Sequence, residues 1–200
     1  PIGIFGLRFY ASLIRGKSEC KDALILEGEF DVLTNMVHQL VDKKPYDVVL
    51  GTGGNSDVHL DDLGEFGFER ILLVPDSSDH GGVEVAKEWL KNTTMPTQVF
   101  NWPPFVNAKD PDDAIKMHGW AAWLSAITDR DEATGKRKHF SLPHEWAVQL
   151  LQERLVDADF EDLRGLKSIA AEIGKCLNDA SEQKTFIDAA AQRTGLASAD

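Results

Sequence analysis

Apolar residues in the first hundred positions come in short dense runs, and each run is stopped by a polar or glycine-bearing stretch. Ala23-Leu24-Ile25-Leu26, Val48-Val49-Leu50, Ile71-Leu72-Leu73-Val74 and Thr97-Gln98-Val99-Phe100 are the four runs. Between them the spacing turns helical. Val32, Leu33, Met36, Val37, Leu40 and Val41 repeat at three and four, Ser56 is placed to cap a short helix carrying Leu60 and Leu63, and a helix is expected from about Gly82 to Lys91. Strands apolar on both faces belong in a parallel sheet covered by helices. Residues 1–127 therefore predict an α/β domain of about four strands with right-handed crossovers.

The pattern changes after that. Residues 128–141 are polar and predict a linker, in which Lys136-Arg137-Lys138 reads as a solvated turn. Residues 142–200 predict a small helical subdomain of three helices, at about Pro143–Leu155, Glu161–Leu177 and Glu182–Thr194, separated at Asn178-Asp179-Ala180-Ser181 and stopped at Gly195. Trp120 and Trp123, with Ala121 and Leu124, have the spacing of a packed helix face rather than of a base-stacking platform.

Composition narrows the function classes. The 200 residues carry 33 acidic against 21 basic side chains, a formal net charge of −12. A chain so acidic does not grip phosphate backbones by charge alone, so its acids either face water or gather around divalent cations. The two cysteines, Cys20 and Cys176, form neither a zinc ribbon nor a disulfide framework and suit a reducing, cytoplasmic setting. No apolar run approaches the roughly 20 residues of a membrane span. The opening at Pro1 in a Gly-Ile-Phe-Gly stretch reads as the start of an excised piece.

Chemistry in a parallel α/β sheet gathers beyond the carboxyl ends of the strands, and there the acids sit. The first run leads into Glu27-Gly28-Glu29-Phe30-Asp31, the second into Gly51-Thr52-Gly53-Gly54 and the third into Asp76-Ser77-Ser78-Asp79-His80-Gly81-Gly82; after the fourth comes Lys109-Asp110-Pro111-Asp112-Asp113. Carboxylates crowded on one rim repel one another, a conflict that a hard cation such as Mg²⁺ or Mn²⁺ removes. Each motif also has a local reading. Asp31 fits a helix cap, and Asp110-Pro111-Asp112-Asp113 is an ordinary helix start with a cap, a proline at the first position and acids favoured by the dipole. Glu27 is harder to place that way, because a carboxylate ending a buried strand is costly without a partner. The glycine loop at Gly51 lacks the Lys-Ser/Thr of a P-loop, which argues against a nucleotide triphosphatase.

Glu27-Gly28-Glu29-Phe30-Asp31 followed by a paired-Asp loop with glycine resembles a Toprim domain. Leu26–Leu33, the Leu50-Gly51-Thr52 step, Lys109–Asp113 and the closing Phe186–Leu196 resemble the Toprim domain and C-terminal helical subdomain of bacterial-type DNA primases. The family's second loop reads Asp-x-Asp-x-x-Gly, whereas the acids here stand three apart. With Gly82 in the glycine place, Asp79 is the second Asp and the loop is one residue longer; with Gly81 there, Ser78 has replaced that Asp. The first alignment keeps Asp79–Ala86 in register with the pattern.

The resemblance implies a nucleotidyltransferase that joins ribonucleoside triphosphates into a short RNA primer on a single-stranded DNA template. Asp76, Asp79, Asp110 and Asp112 would hold Mg²⁺ or Mn²⁺, and Glu27 would be a ligand or a proton acceptor. Asp31, Gly28, Gly51, Thr52 and Gly82 would support the metals or touch phosphate. Template would be gripped by other parts of such a protein, a replicative helicase is a further expected partner, and these residues alone are expected to be inactive. The same acids with water as nucleophile would make a Toprim nuclease, and loss of metal affinity would leave a partner-binding module.

Overall fold

The computed structural model describes residues 3–7, 21–42, 48–54, 58–77, 81–102, 107–156 and 163–194. The four apolar runs form strands β1 (Asp22–Leu26), β2 (Val48–Gly51), β3 (Arg70–Val74) and β4 (Thr97–Phe100). They pair in parallel in the order β2-β1-β3-β4, with Leu24 beside both Val49 and Leu72 and Ile25 beside both Leu50 and Leu73. Side chains alternate across the pleat, so the strands feed two separate apolar cores. Ala23, Ile25, Leu50, Ile71, Leu73 and Val99 face one core; Leu24, Leu26, Val49, Leu72, Val74 and Phe100 face the other.

The second core is closed by helices α1 (Glu29–Asp42), α3 (Pro111–His118) and α4 (Trp120–Thr128). Trp123 is fully buried there, as its spacing predicts, and its indole N–H donates to Asn35 Oδ1 at 2.7 Å. Gly119, at φ 86°, takes the positive angle that breaks α3 from α4. The first core is closed by α2 (Gly82–Lys91), a short 3₁₀ helix at Leu60–Phe66, and helices α5 (Pro143–Leu155), α6 (Leu163–Gly174) and α7 (Ala180–Thr194). The 3₁₀ helix follows His59, which gives no side-chain cap, and the expected cap Ser56 lies outside the described residues.

The three C-terminal helices share their apolar cluster with the sheet: Trp146, Leu150, Leu166, Leu177 and Phe186 belong to the same core as Ile25 and Leu73. An ionic tie adds to it. Lys87 of α2, buried to 3% exposure, reaches Glu84 at 2.9 Å and Glu172 of α6 at 2.8 Å. Cys176 lies in this core, where burial pushes its thiol up to about 11 and leaves it unreactive. Among the described residues no helix is long and apolar enough to cross a membrane.

Two features depart from the sequence reading. Phe140–Ser141, inside the stretch expected as a linker, is a fifth strand, β5, pairing antiparallel with β4 through Val99–Ser141 and Phe100–Phe140. A two-residue strand has no period to read, and its pairing partner is forty positions away. Arg137, expected in a solvated turn, is only 6% exposed. Its guanidinium donates to the Ile127 carbonyl and to Asp22 Oδ2 at 3.1 Å, and lies 5.7 Å from the Phe140 ring centroid. A basic run looks solvated until a distant carboxylate meets one of its members.

Arg137 thus bolts the segment before β5 to the start of β1. Truncating one partner of a buried, hydrogen-bonded pair strands the other. Arg137→Ala is expected to lower unfolding free energy in urea by about 3 kcal/mol. Lys136→Ala, one position away and exposed, should cost less than about 0.5 kcal/mol. Equal effects of the two would refute the bolt.

Candidate metal centre

The carboxyl ends of β1, β3 and β4 are held together by hydrogen bonds between the loops themselves. Glu27, just past β1, accepts the Asp76 backbone N–H on Oε1 at 2.7 Å, which ties the end of β1 to the end of β3. Ser77 N–H donates to the Lys109 carbonyl at 2.8 Å, which joins the β3 loop to the entry of α3. Asp31, in the first turn of α1, accepts the Asp112 N–H on Oδ1 at 2.9 Å and so caps a helix far from it in sequence. Each tie is a carboxylate or carbonyl serving a backbone donor on a neighbouring loop.

Asp110 caps α3 directly, accepting the Asp113 N–H at 2.8 Å, with Pro111 in the first turn. The cap reading of this motif is therefore realised, and it is compatible with a site. One carboxylate oxygen from each of Asp110, Asp112 and Asp113 lies within 4.8 Å of the others, a spacing that a single cation spans. Asp113 was not among the sequence candidates. As the third helical residue it looked like an acid placed for the dipole, and only the turn of α3 brings it beside Asp110.

Charge is concentrated behind this group. Asp31 is 5% exposed and its carboxyl is pushed up from the ordinary 3.8 to about 7. Burial is the main cause, the Asp112 N–H opposes it, and the carboxylates of Asp110, Asp76 and Asp112 add to it. Glu27 is raised too, by burial first, with Asp76 N–H opposing and Asp31 adding. Asp112 is the exception. Burial raises it, but Lys116 and the Thr34 hydroxyl at 2.9 Å outweigh that, and it falls below its ordinary value. Lys109 Nζ stands 3.2 Å from Asp110 Oδ2 at the outer edge. The donors are all carboxylate oxygens, hard and anionic, crowded enough to repel one another: a set that fits a metal ion.

The remaining candidates fall behind the acids. Gly51 ends β2 where a Cβ would meet Val32 Cγ2 at 2.8 Å, so glycine is what lets α1 close on the sheet. Thr52 N–H and Gly54 N–H donate to the carbonyls of Leu26 at 3.0 Å and Glu27 at 2.9 Å, so these two donors shape the β1 turn. Thr52 is buried, and its hydroxyl lies 3.4 Å from the Glu27 carbonyl. A Cβ on Gly28 would press on the Asp31 carboxylate, and one on Gly82 would collide with the Asp76 backbone. Gly82 is therefore a steric necessity where α2 starts against the end of β3. Asp79, with Ser78 and His80, lies outside the described residues.

The raised Asp31 has a consequence for stability. Between about pH 4 and pH 7 the folded chain holds a proton that the unfolded chain has released, so stability drains as pH rises through that window. In EDTA, Asp31→Asn is expected to stabilise the protein at pH 8 by about 2 to 4 kcal/mol and to change little at pH 4. Thermal unfolding at the two values reads it out, and a gain independent of pH would contradict the assignment.

No family model matches the chain, and no curated protein does. Solved structures do. A DNA primase domain from Pseudomonas aeruginosa superposes with a TM-score of 0.61 at 18% identity, covering 90% of this chain and 53% of that one. The DnaG catalytic core gives 0.61 at 14% identity, covering 96% and 57%. The DnaG primase catalytic domain bound to single-stranded DNA gives 0.58 at 14% identity, covering 96% and 56%. The chain thus spans little more than half the length of these proteins while nearly all of it is matched. Over that half the chain shares their fold, a mostly parallel α/β sheet followed by a layer of helices.

Proposed function

We propose that this chain is the metal-binding part of a DNA primase. The observation that carries the reading is the rim itself: in a primase-core fold, three loops bring Glu27, Asp31, Asp76, Asp110, Asp112 and Asp113 together at the carboxyl end of the sheet. Asp76, Asp110 and Asp112, with Asp113 beside them and Asp79 from the same β3 loop, are the proposed ligands of Mg²⁺ or Mn²⁺. When bound, the ions would screen the phosphates of a ribonucleoside triphosphate and make the attacking hydroxyl a better nucleophile. The reaction is attack of a primer 3′-hydroxyl on the α-phosphate, with pyrophosphate leaving, directed by a single-stranded DNA template.

The chain's own residues then act by position. Glu27 and Asp31 keep the ligand loops in place through the Asp76 and Asp112 N–H groups. Burial pushes the Asp31 carboxyl up to about 7, and a cation held by its neighbours would lower it and favour the anion beside the ligands. Lys109 and Lys116 sit at the margin, where they are placed to meet phosphate oxygens. A net charge of −12 opposes a DNA backbone, so template affinity is expected to come from basic surface beyond these residues, as is any contact with a helicase. Cytoplasmic replication is the setting this reading implies.

Calorimetric titration with Mn²⁺ tests the site. Asp110→Asn and Asp112→Asn should each weaken binding by at least about tenfold, while Asp188→Asn on the exposed face of α7 should leave it unchanged. Identical affinity across all four proteins would overturn the metal assignment.

A further inference from the structure

Beside the acidic rim, between the ends of β3 and β4 and one face of α5, lies a cavity of about 140 Å³ that the reading above does not use. Its walls include Asp76, Phe100, Asn101, Trp102, Trp146 and Gln149. A void of about 150 Å³ takes a six-membered ring. The rings around it are held in place. Trp102 donates its indole N–H to the Pro75 carbonyl at 3.0 Å and meets Phe100 edge to face, centroids 5.5 Å apart at 84°, and Trp146 is packed into the core shared by sheet and helices.

The polar lining sets two amides, Asn101 and Gln149, beside Ser77 and the carboxylates of Asp76 and Glu153. Asn101 donates to the Ser141 hydroxyl, and Gln149 donates to Glu153, which also lines the cavity, at 3.2 Å. Among the described residues no lysine or arginine lines it. A phosphate would find nothing there to neutralise it, whereas a flat heterocycle would find aromatic faces and amides that carry both a donor and an acceptor for its edges. Asp76 belongs to the cavity wall and to the acidic rim alike, so one molecule with a phosphate end and an aromatic end can occupy both.

We propose that this cavity is the base subsite for the ribonucleoside triphosphate whose phosphates lie at the acidic rim, with the base against Trp102 and its edge toward Gln149 and Asn101. This rests on the metal reading of the rim and assigns α5, outside the Toprim sheet, a part in holding substrate. Stacking on a fixed ring is sequence-tolerant, which suits an enzyme that must accept every base.

The test compares Mn²⁺·ATP with Mn²⁺·tripolyphosphate, which has the phosphates but no base, by calorimetry on the 200-residue chain. The wild type is expected to bind the nucleotide about tenfold more tightly. Gln149→Trp, at an exposed helix position, fills the cavity and should reduce that ratio to about one; Trp102→Leu, which removes the stacking ring, should reduce it likewise. A wild-type ratio of one, or a tenfold ratio that survives both substitutions, overturns the base subsite while the metal reading stands. Binding of neither ligand overturns both.

Discussion

Two carboxylates organise this structure by accepting backbone N–H groups from the loops that carry other carboxylates. Glu27 receives Asp76 N–H and Asp31 receives Asp112 N–H. Each bond is charge-assisted when its acceptor is ionised, and each pulls a further acid toward one that is already partly or fully buried. The attraction is between a carboxylate and a peptide dipole; the cost is repulsion between like charges. Burial first, and the neighbouring carboxylates after it, raise the pKa values of Glu27 and Asp31.

The surrounding architecture serves that arrangement. Four parallel strands present their carboxyl ends on one rim, and glycines at Gly51 and Gly82 let α1 and α2 close onto it. The two cores on either side of the sheet give the loops a rigid base, since the strands that launch them are almost wholly buried. The C-terminal helices extend one of those cores. They also bring Trp146 and Gln149 to the edge of the acidic group, so the helical layer contributes wall as well as support.

Likeness to primase cores at 14–18% identity rests on this geometry rather than on shared sequence. The glycine end of the β3 loop tolerates little, because the Asp76 backbone occupies the space a side chain on Gly82 would need.

The sequence by itself determined the four strands, their parallel pairing and the gathering of acids at one end. Continuous apolar runs fit only a sheet covered on both faces, and in such a sheet the strand ends are where loops meet. It also specified the start of α3 down to its cap, Asp110, because a helix start is chemistry between neighbours along the chain. Tertiary structure alone decided the rest. That Asp31 caps a helix eighty positions away, that Arg137 is buried against Asp22 and that β5 completes the sheet all depend on which distant groups meet. A side chain's local neighbours set its propensity, but its burial, its partner and therefore its charge are properties of the packed chain, where the low dielectric makes each unpaired group expensive and each pairing specific.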